Sequence, residues 1–265
     1  MTDTLAQVAR SHKRPTAIGR ILLWRGGSLW IGHAGEPAGF HAHHAVQVAL
    51  PFHGGHVRFQ RPAGHWTNYD AAIVAAHQPH AFEARGQFMA QIFVEPESRA
   101  GRALQHRYRE EGIGALDRRR VAREISALAE AYERRVADAE LIALARSAIA
   151  SLAGTTSTPE KPPDPRIALA LKLIRERLSL PNPLRGLAAA VHLSPDRFRH
   201  LFVEETGVGL RPYVLWLRLE CSLGAYVAGS TLTEAAHAGG FADSAHFART
   251  FRRMFGITAA SVRPE

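Results

Sequence analysis

The sequence predicts an α+β protein of two domains, an antiparallel β domain with trailing helices followed by an all-α domain. Three observations carry this. Short apolar runs at roughly ten-residue spacing fill the stretch from Ile18 to Val94. After Glu95 the apolar residues recur at three- and four-residue intervals instead. Residues 154–164 (GTTSTPEKPPD) have a composition that cannot form a core, which splits the chain into domains at 1–153 and 166–265 joined by a linker at 154–165. With 265 residues, each domain is long enough to bury a core of its own.

In the first domain, apolar runs at 21–24, 29–31, 45–50, 57–59, 71–75 and 88–94 alternate with clusters of Gly, Pro, His and Asn, as in a small antiparallel barrel or sandwich. Histidine is concentrated here, with 11 of 15 before residue 107. The alternation His41-Ala42-His43 on an extended strand puts both imidazoles on one side, and Gln47 follows four residues on. The pattern resembles the first cupin motif, HxH followed by a carboxylate, with Gln47 in place of the glutamate. His77-Gln78-Pro79-His80 resembles the second motif and matches it best at His80. The favoured use of this interior is a metal-free ligand pocket, with His41, His43, Gln47 and His80 orienting a small molecule between apolar walls that include Trp24 and Trp66. No cofactor is expected. Were a divalent transition metal held, its ligands would be His41, His43 and His80.

Two amphipathic helices follow, one through Val121, Ile125, Leu128 and Tyr132, the other through Leu141, Leu144, Ala145, Ala148 and Leu152. Beyond the linker, Asp164-Pro165 is a helix start, and Ile167, Leu171, Ile174 and Leu178 form one apolar stripe.

The remainder reads as two helix-turn-helix units on one framework. In the first, Ser194 is the N-cap, Pro195 suits the first helical position, and Phe198, Leu201 and Phe202 face inward. In the second, Gly239-Gly240 makes the turn, Asp243 or Ser244 the cap, and Phe247, Phe251, Met254 and Phe255 the buried stripe. Ala245, Arg249 and Arg253 then form an outward row flanked by His246 and Arg252. The helix between the units, through Tyr213, Trp216, Leu217 and Leu219, has about 18 residues and a length of about 27 Å, close to one turn of DNA at about 34 Å.

Leu187-Ala188, Leu193-Ser194, Phe198, Leu201-Phe202, Glu205-Thr206-Gly207, Tyr213, Arg218-Leu219, Gly240-Phe241, Asp243, His246-Phe247, Arg249, Phe251-Arg252 and Phe255-Gly256 together resemble the DNA-binding domain of the AraC/XylS family of bacterial transcriptional regulators. The departures are His192 for a turn glycine, Ala235 for a larger aliphatic, Ala259 for proline and Val262 for an aromatic. The resemblance implies a cupin-like N-terminal domain whose trailing helices dimerise, through the small-residue-rich segment 141–152; packing of those helices on their own barrel is the alternative. It implies a non-enzymatic, sequence-specific regulator, activator or repressor, controlled by a small-molecule effector. The partners are then double-stranded promoter DNA, a second copy of the chain and, for activation, RNA polymerase. DNA contacts fall to Ser194, Asp196, Arg197, Arg199 and His200 in the first unit, and to Ser244, Ala245, His246, Arg249, Arg252 and Arg253 in the second. Arg199 and Arg249 are the base readers, since arginine grips guanine with two bonds; Arg252 and Arg253 position the backbone. The alternative from another class is a metal-dependent cupin enzyme fused to a DNA-binding module.

The formal charge of +9 favours a polyanionic partner. Residues 166–265 carry 13 basic and 8 acidic side chains and residues 1–165 carry 20 and 16, so the excess per residue is greater in the second domain. The single Cys221 excludes an internal disulfide and is expected to pack as a small hydrophobe. No apolar run approaches the roughly 18 residues of a membrane span, and the amino terminus has no apolar signal region, so a soluble cytoplasmic protein without a membrane partner is expected.

Overall fold

The computed structural model describes residues 17–154, 162–178 and 184–264. Strands β1 (Ala17–Trp24), β2 (Gly27–Ala34), β3 (Ala38–His41), β4 (Val46–Pro51), β5 (Val57–Gln60), β6 (Trp66–Tyr69), β7 (Ala72–Val74), β8 (His80–Glu83) and β9 (Phe88–Val94) fill the first part. Helix α1 (Arg99–Tyr108), strand β10 (Ile113–Ala115), and helices α2 (Ala122–Glu133) and α3 (Asp138–Ala153) follow. Then come α4 (Pro165–Glu176), α5 (Leu184–Ala190), α6 (Pro195–Thr206), α7 (Leu210–Val227), α8 (Leu232–Ala238), α9 (Ser244–Phe255) and a last strand, β11 (Val262–Pro264). Among the described residues no helix is long and apolar enough to cross a membrane.

The strands form two sheets, one ordered β10-β7-β4-β9-β2-β1-β11 and the other β3-β8-β5-β6. Alternation along each strand sorts the core. Val46, Val48 and Leu50 of β4, with Ala90, Ile92 and Val94 of β9, meet the helices α1 to α3, whereas Ala49 and Met89 point the other way and pack with Phe59 and Phe82 of the smaller sheet. Each of the six apolar runs falls on a strand, with Ala45, Ala71 and Ala75 just beyond the strand ends. The four-residue strands β3, β6 and β8 carry no such run, and their pairing comes from the sheet rather than from composition. His43 falls in the irregular segment after β3, not on the strand with His41 as its alternation suggested.

Helices α2 and α3 lie on the larger sheet. Leu141, Ala145, Ala148 and Leu152 share a core with Leu29, Val48 and Ile92, so the stripe expected to face a second copy is covered by the chain's own sheet. Arg20 of β1 ties this arrangement down by donating to Val136 O at 2.8 Å and pairing with Asp138. Most of the expected linker, residues 155–161, lies outside the described residues. At its far end Asp164 caps α4 by accepting from Arg166 N, with Ile167 and Ile174 buried below.

The two parts divided by sequence share one core in space. Ile21, Trp30, Ala45 and Phe93 of the β part are buried together with Phe198, Tyr213, Trp216, Phe251 and Phe255 of the helical part. Trp30 stacks on Phe251 at 6.4 Å between ring centroids and lies 5.0 Å from Phe255. Strand β11 continues the union by running parallel to β1 at the sheet edge. Cys221 is exposed on α7, its thiol directed at Ala238 O at 3.4 Å, which corrects its reading as a packed residue.

Candidate functional site

Helix α6 is set by its caps. The Ser194 hydroxyl accepts from Arg197 N, Pro195 opens the first turn, and Gly207 closes the helix in the left-handed conformation. Phe198, Leu201 and Phe202 are buried, which turns Asp196, Arg197, Arg199, His200 and Val203 outward. Arg199 is paired with Asp196 across one turn at 3.0 Å. The turn before α6 places His192 at φ +55°, in the left-handed region that asparagine, aspartate and histidine tolerate better than most residues.

Helix α9 repeats the plan. Its cap is Asp243, accepting from His246 N at 2.6 Å, and Ser244 becomes the first helical residue. Gly240, at φ +73°, takes the turn position that His192 takes in the first unit. Phe247, Phe251, Met254 and Phe255 are buried; Ala245, His246, Arg249, Arg252 and Arg253 are exposed. Arg253 also lines a groove of about 840 Å³ beside Phe40, Pro79, Arg211 and Leu215, at the boundary with the β part. Phe40 is 55% exposed there. The 18-residue α7 joins the two units, with Tyr213, Trp216, Leu217 and Leu219 buried.

A second constellation lies directly beneath the end of α9. His41, His43 and His80 are buried, and each offers one ring nitrogen within 4.8 Å of the others. All three Nδ1 atoms face backbone carbonyls: His41 to Gly39 O at 2.7 Å, His43 to Ala45 O at 2.8 Å and His80 to Gln78 O at 2.8 Å. A carbonyl only accepts, so Nδ1 of His41 and of His80 carries the proton and Nε2 is left as a lone pair, whereas His43 has acceptors at both ring nitrogens, Ala45 O and Gln47 Oε1. His80 Nε2 has no hydrogen-bond partner among the described residues. Gln47 reaches the cluster with Oε1 at 3.1 Å from His43 Nε2 and is held by Gln91 at 2.9 Å. Burial and the neighbouring histidines keep the rings neutral, with His43 lowered to about 3 and His80 well below the ordinary value. Neutral imidazoles with Nδ1 tied to carbonyls are the donor set that divalent transition metals such as zinc take.

The residues expected to wall a ligand pocket are divided by the fold. His41, His43, Gln47 and His80 come together, but Trp24 lies against a cleft beside α1 and α3, and Trp66 stands on β6 under the Arg58 guanidinium. The cavity next to His41 and Gln47 has a volume of only about 50 Å³.

Sequence reasoning passed over a third group, a charged network at the junction. Arg175 of α4 reaches Glu95 at 2.7 Å, Glu97 at 3.5 Å and the Tyr213 hydroxyl at 3.2 Å, while His44 bonds Glu97 at 2.9 Å. Burial and Glu97 raise the Glu95 carboxyl; desolvation, Glu95 and Glu97 hold Glu220 well above its ordinary range; the bonds from His44 and Tyr213 pull Glu97 down. Its one sequence signal was the acidic pair Glu95 and Glu97 at the end of an apolar strand, which reads equally well as a strand terminus.

Residues 187–265 match the helix-turn-helix domain family. No curated protein matches the sequence. Among solved structures, ToxT from Vibrio cholerae is similar over 88% of this chain and 96% of its own, with a TM-score of 0.54 and 10% identity. ToxT of Vibrio cholerae strain SCE256, solved with an unsaturated fatty acid bound, is similar over 88% of this chain and 92% of its own, with a TM-score of 0.54 and 10% identity. An AraC-type DNA-binding-domain regulator from Chromobacterium violaceum is 26% identical over 36% of this chain and 85% of its own, with a TM-score of 0.34. At 10% identity the likeness to ToxT is one of fold: antiparallel sheets followed by helices, over nearly the whole of both chains. The chain thus carries a helix-turn-helix domain at residues 187–265, behind a β part whose fold is similar to that of ToxT.

Proposed function

We propose that the protein is a sequence-specific transcriptional regulator whose two C-terminal helices enter successive major grooves of promoter DNA, under the control of a small effector sensed by the N-terminal domain. The observation that carries this reading is the pair of exposed polar faces, Asp196 to His200 on α6 and Ala245 to Arg253 on α9, presented from one framework by α7. Arg249 reads a base, and Arg252 with Arg253 grips phosphate. A homodimer supplies a second pair of helices, through a surface other than the buried stripe of α3. RNA polymerase is a partner where the protein activates. The effector works at the junction, because α9 and the β part share a core.

The enzyme alternative draws on the same three histidines. The cavity beside His41 and Gln47, at about 50 Å³, is far below the roughly 300 Å³ or more of a small-molecule site. The groove of about 840 Å³ at the boundary with the helical part is also lined by His41 and has the room an organic effector needs. The proposal is tested by Arg249→Ala: affinity for the specific site should fall by about 1–3 kcal/mol while binding to random duplex is nearly kept. Equal losses on both would remove Arg249 from base readout.

A further inference from the structure

We propose that the cleft between the tip of the β1–β2 hairpin, α1 and α3 binds a phosphorylated molecule with an aromatic ring, of the nucleotide class. The proposal is independent of the regulator reading, since no residue of α6 or α9 lines this cleft.

The cleft has a volume of about 1000 Å³, room enough for a nucleotide. Its cations are Arg25 at the hairpin tip, Arg99 in the first turn of α1 and Arg146 on α3. All three are exposed, and no guanidinium of the three has an ion pair or hydrogen bond among the described residues. No acidic side chain lines the cleft among those residues either. Elsewhere in the β domain arginines find carboxylates, as Arg20 does at Asp138, Arg58 at Glu83 and Arg85 at Glu36. Three like charges around one concave, partly apolar surface repel one another and focus a positive field into it, and a bound anion offsets that repulsion. Helix α1 begins at the cleft with no acidic residue in its first turn, so the positive end of its dipole adds to the same sign.

Charge and shape then narrow the ligand. A single carboxylate brings one charge and two oxygens to three guanidiniums, whereas a phosphate ester brings nearly two charges and three acceptor oxygens, and a di- or triphosphate more. The planar fork of arginine matches phosphate with two parallel bonds. The rest of the wall, with Trp24, Val94, Ala103 and Ile149, is apolar and calls for a flat apolar part in the same molecule. The Trp24 indole is the stacking surface: it contacts no other aromatic ring among the described residues. Gly27 makes room for it, since a Cβ there would lie 3.1 Å from the indole. No amide or carboxylate side chain lines the cleft to read a base edge, so the identity of the base should matter little. The adjoining cavity against α4, of about 360 Å³, shares Arg25, Gly26 and Ser98, but its Arg175 is already engaged by Glu95 and Glu97. The phosphates therefore belong on the side of Arg99 and Arg146.

The experiment titrates the full chain by calorimetry with ATP, GTP, AMP, adenosine and benzoate. ATP and GTP should each bind once per chain, with affinities within about tenfold of each other because stacking tolerates any base. Adenosine, which lacks the phosphate, should bind at least about tenfold more weakly than AMP. Joint replacement Arg99→Gln and Arg146→Gln should weaken ATP binding by at least about 100-fold, and Trp24→Leu by about fivefold or more. Thermal melting confirms that each variant folds. ATP should also slow amide exchange in peptides spanning 22–27, 98–104 and 146–153 of the wild type. Arg253→Ala controls for polyanions held on the DNA-facing helices and should bind ATP as the wild type does. Absence of stoichiometric ATP and GTP binding, or binding unchanged in the cleft variants, would overturn the site. Loss of ATP binding in Arg253→Ala alone would place the nucleotide on the helix-turn-helix face and overturn it equally. Benzoate bound as tightly as ATP would overturn the nucleotide class.

Discussion

His192 and Arg199 show how far single residues carry the argument. The first turn lacks the glycine of the second, and the structure meets the loss by placing His192 at φ +55°. His192→Gly should remove that strain and stabilise the domain by roughly 0.5–1 kcal/mol in chemical denaturation, net of the extra entropy glycine brings to the unfolded chain. No gain would mean that the histidine ring contributes a contact of equal worth. Arg199 was legible as an outward residue from spacing alone, but its bond to Asp196 was not, since both groups are equally consistent with facing DNA. Asp196→Ala frees the guanidinium and should shift base preference at one position of the selected site, read by competition between single-base variants. A preference that does not move would place Arg199 on phosphate. The histidines divide in the same way. Resemblance to the cupin motifs brought His41, His43, Gln47 and His80 together, whereas the pairing of His44 with Glu97 joins residues 53 positions apart and left no mark on either.

At the scale of elements, periodicity and caps were read almost directly. The stripes of α6, α7 and α9 are buried as their spacing requires, and Ser194, Asp243 and Asp164 all cap helices. What periodicity could not decide was the partner of each stripe. Leu141 to Leu152 fits a second copy or the chain's own sheet equally, and the sheet takes it because β4 and β9 present a matching row of Val48, Leu50 and Ile92. The short strands of the smaller sheet were hidden for a related reason: their stability is in pairing with β8 and β5, not in their own residues. The packing of α8 on α7 depends on Gly239, where a Cβ would overlap Ser222 Oγ and Arg218 O. Gly239→Ala should destabilise the second unit by about 1–3 kcal/mol and weaken specific DNA binding, with melting and binding measured on the same sample. Full stability in that variant would contradict the close approach of the two helices.

For the whole molecule, the shared core and the Arg175 network make domain separation costly. Removing Arg175 leaves Glu95 and Glu97 without their cation. Arg175→Met should therefore cost roughly 2–4 kcal/mol by calorimetry, somewhat less than a fully buried pair because the arginine keeps some exposure. Glu220 sets a pH dependence with a definite sign. It faces Glu95, Glu97 and Arg175, and its folded value lies well above the ordinary 4.5. The folded state therefore holds a proton that the unfolded state gives up, and the stability this contributes is full below pH 4.5 and lost as pH rises towards the folded value. Glu220→Gln should flatten that decline and raise stability at neutral pH; an unchanged profile would show that Glu220 does not titrate within the network. The account's central claim, two helices of one chain reading successive grooves, is tested most directly by selecting bound sequences from a random DNA pool and footprinting the recovered duplex. It predicts a motif with two contacted segments centred about 10 base pairs, or one helical turn, apart. A single contacted segment, or no enriched motif at all, would contradict it.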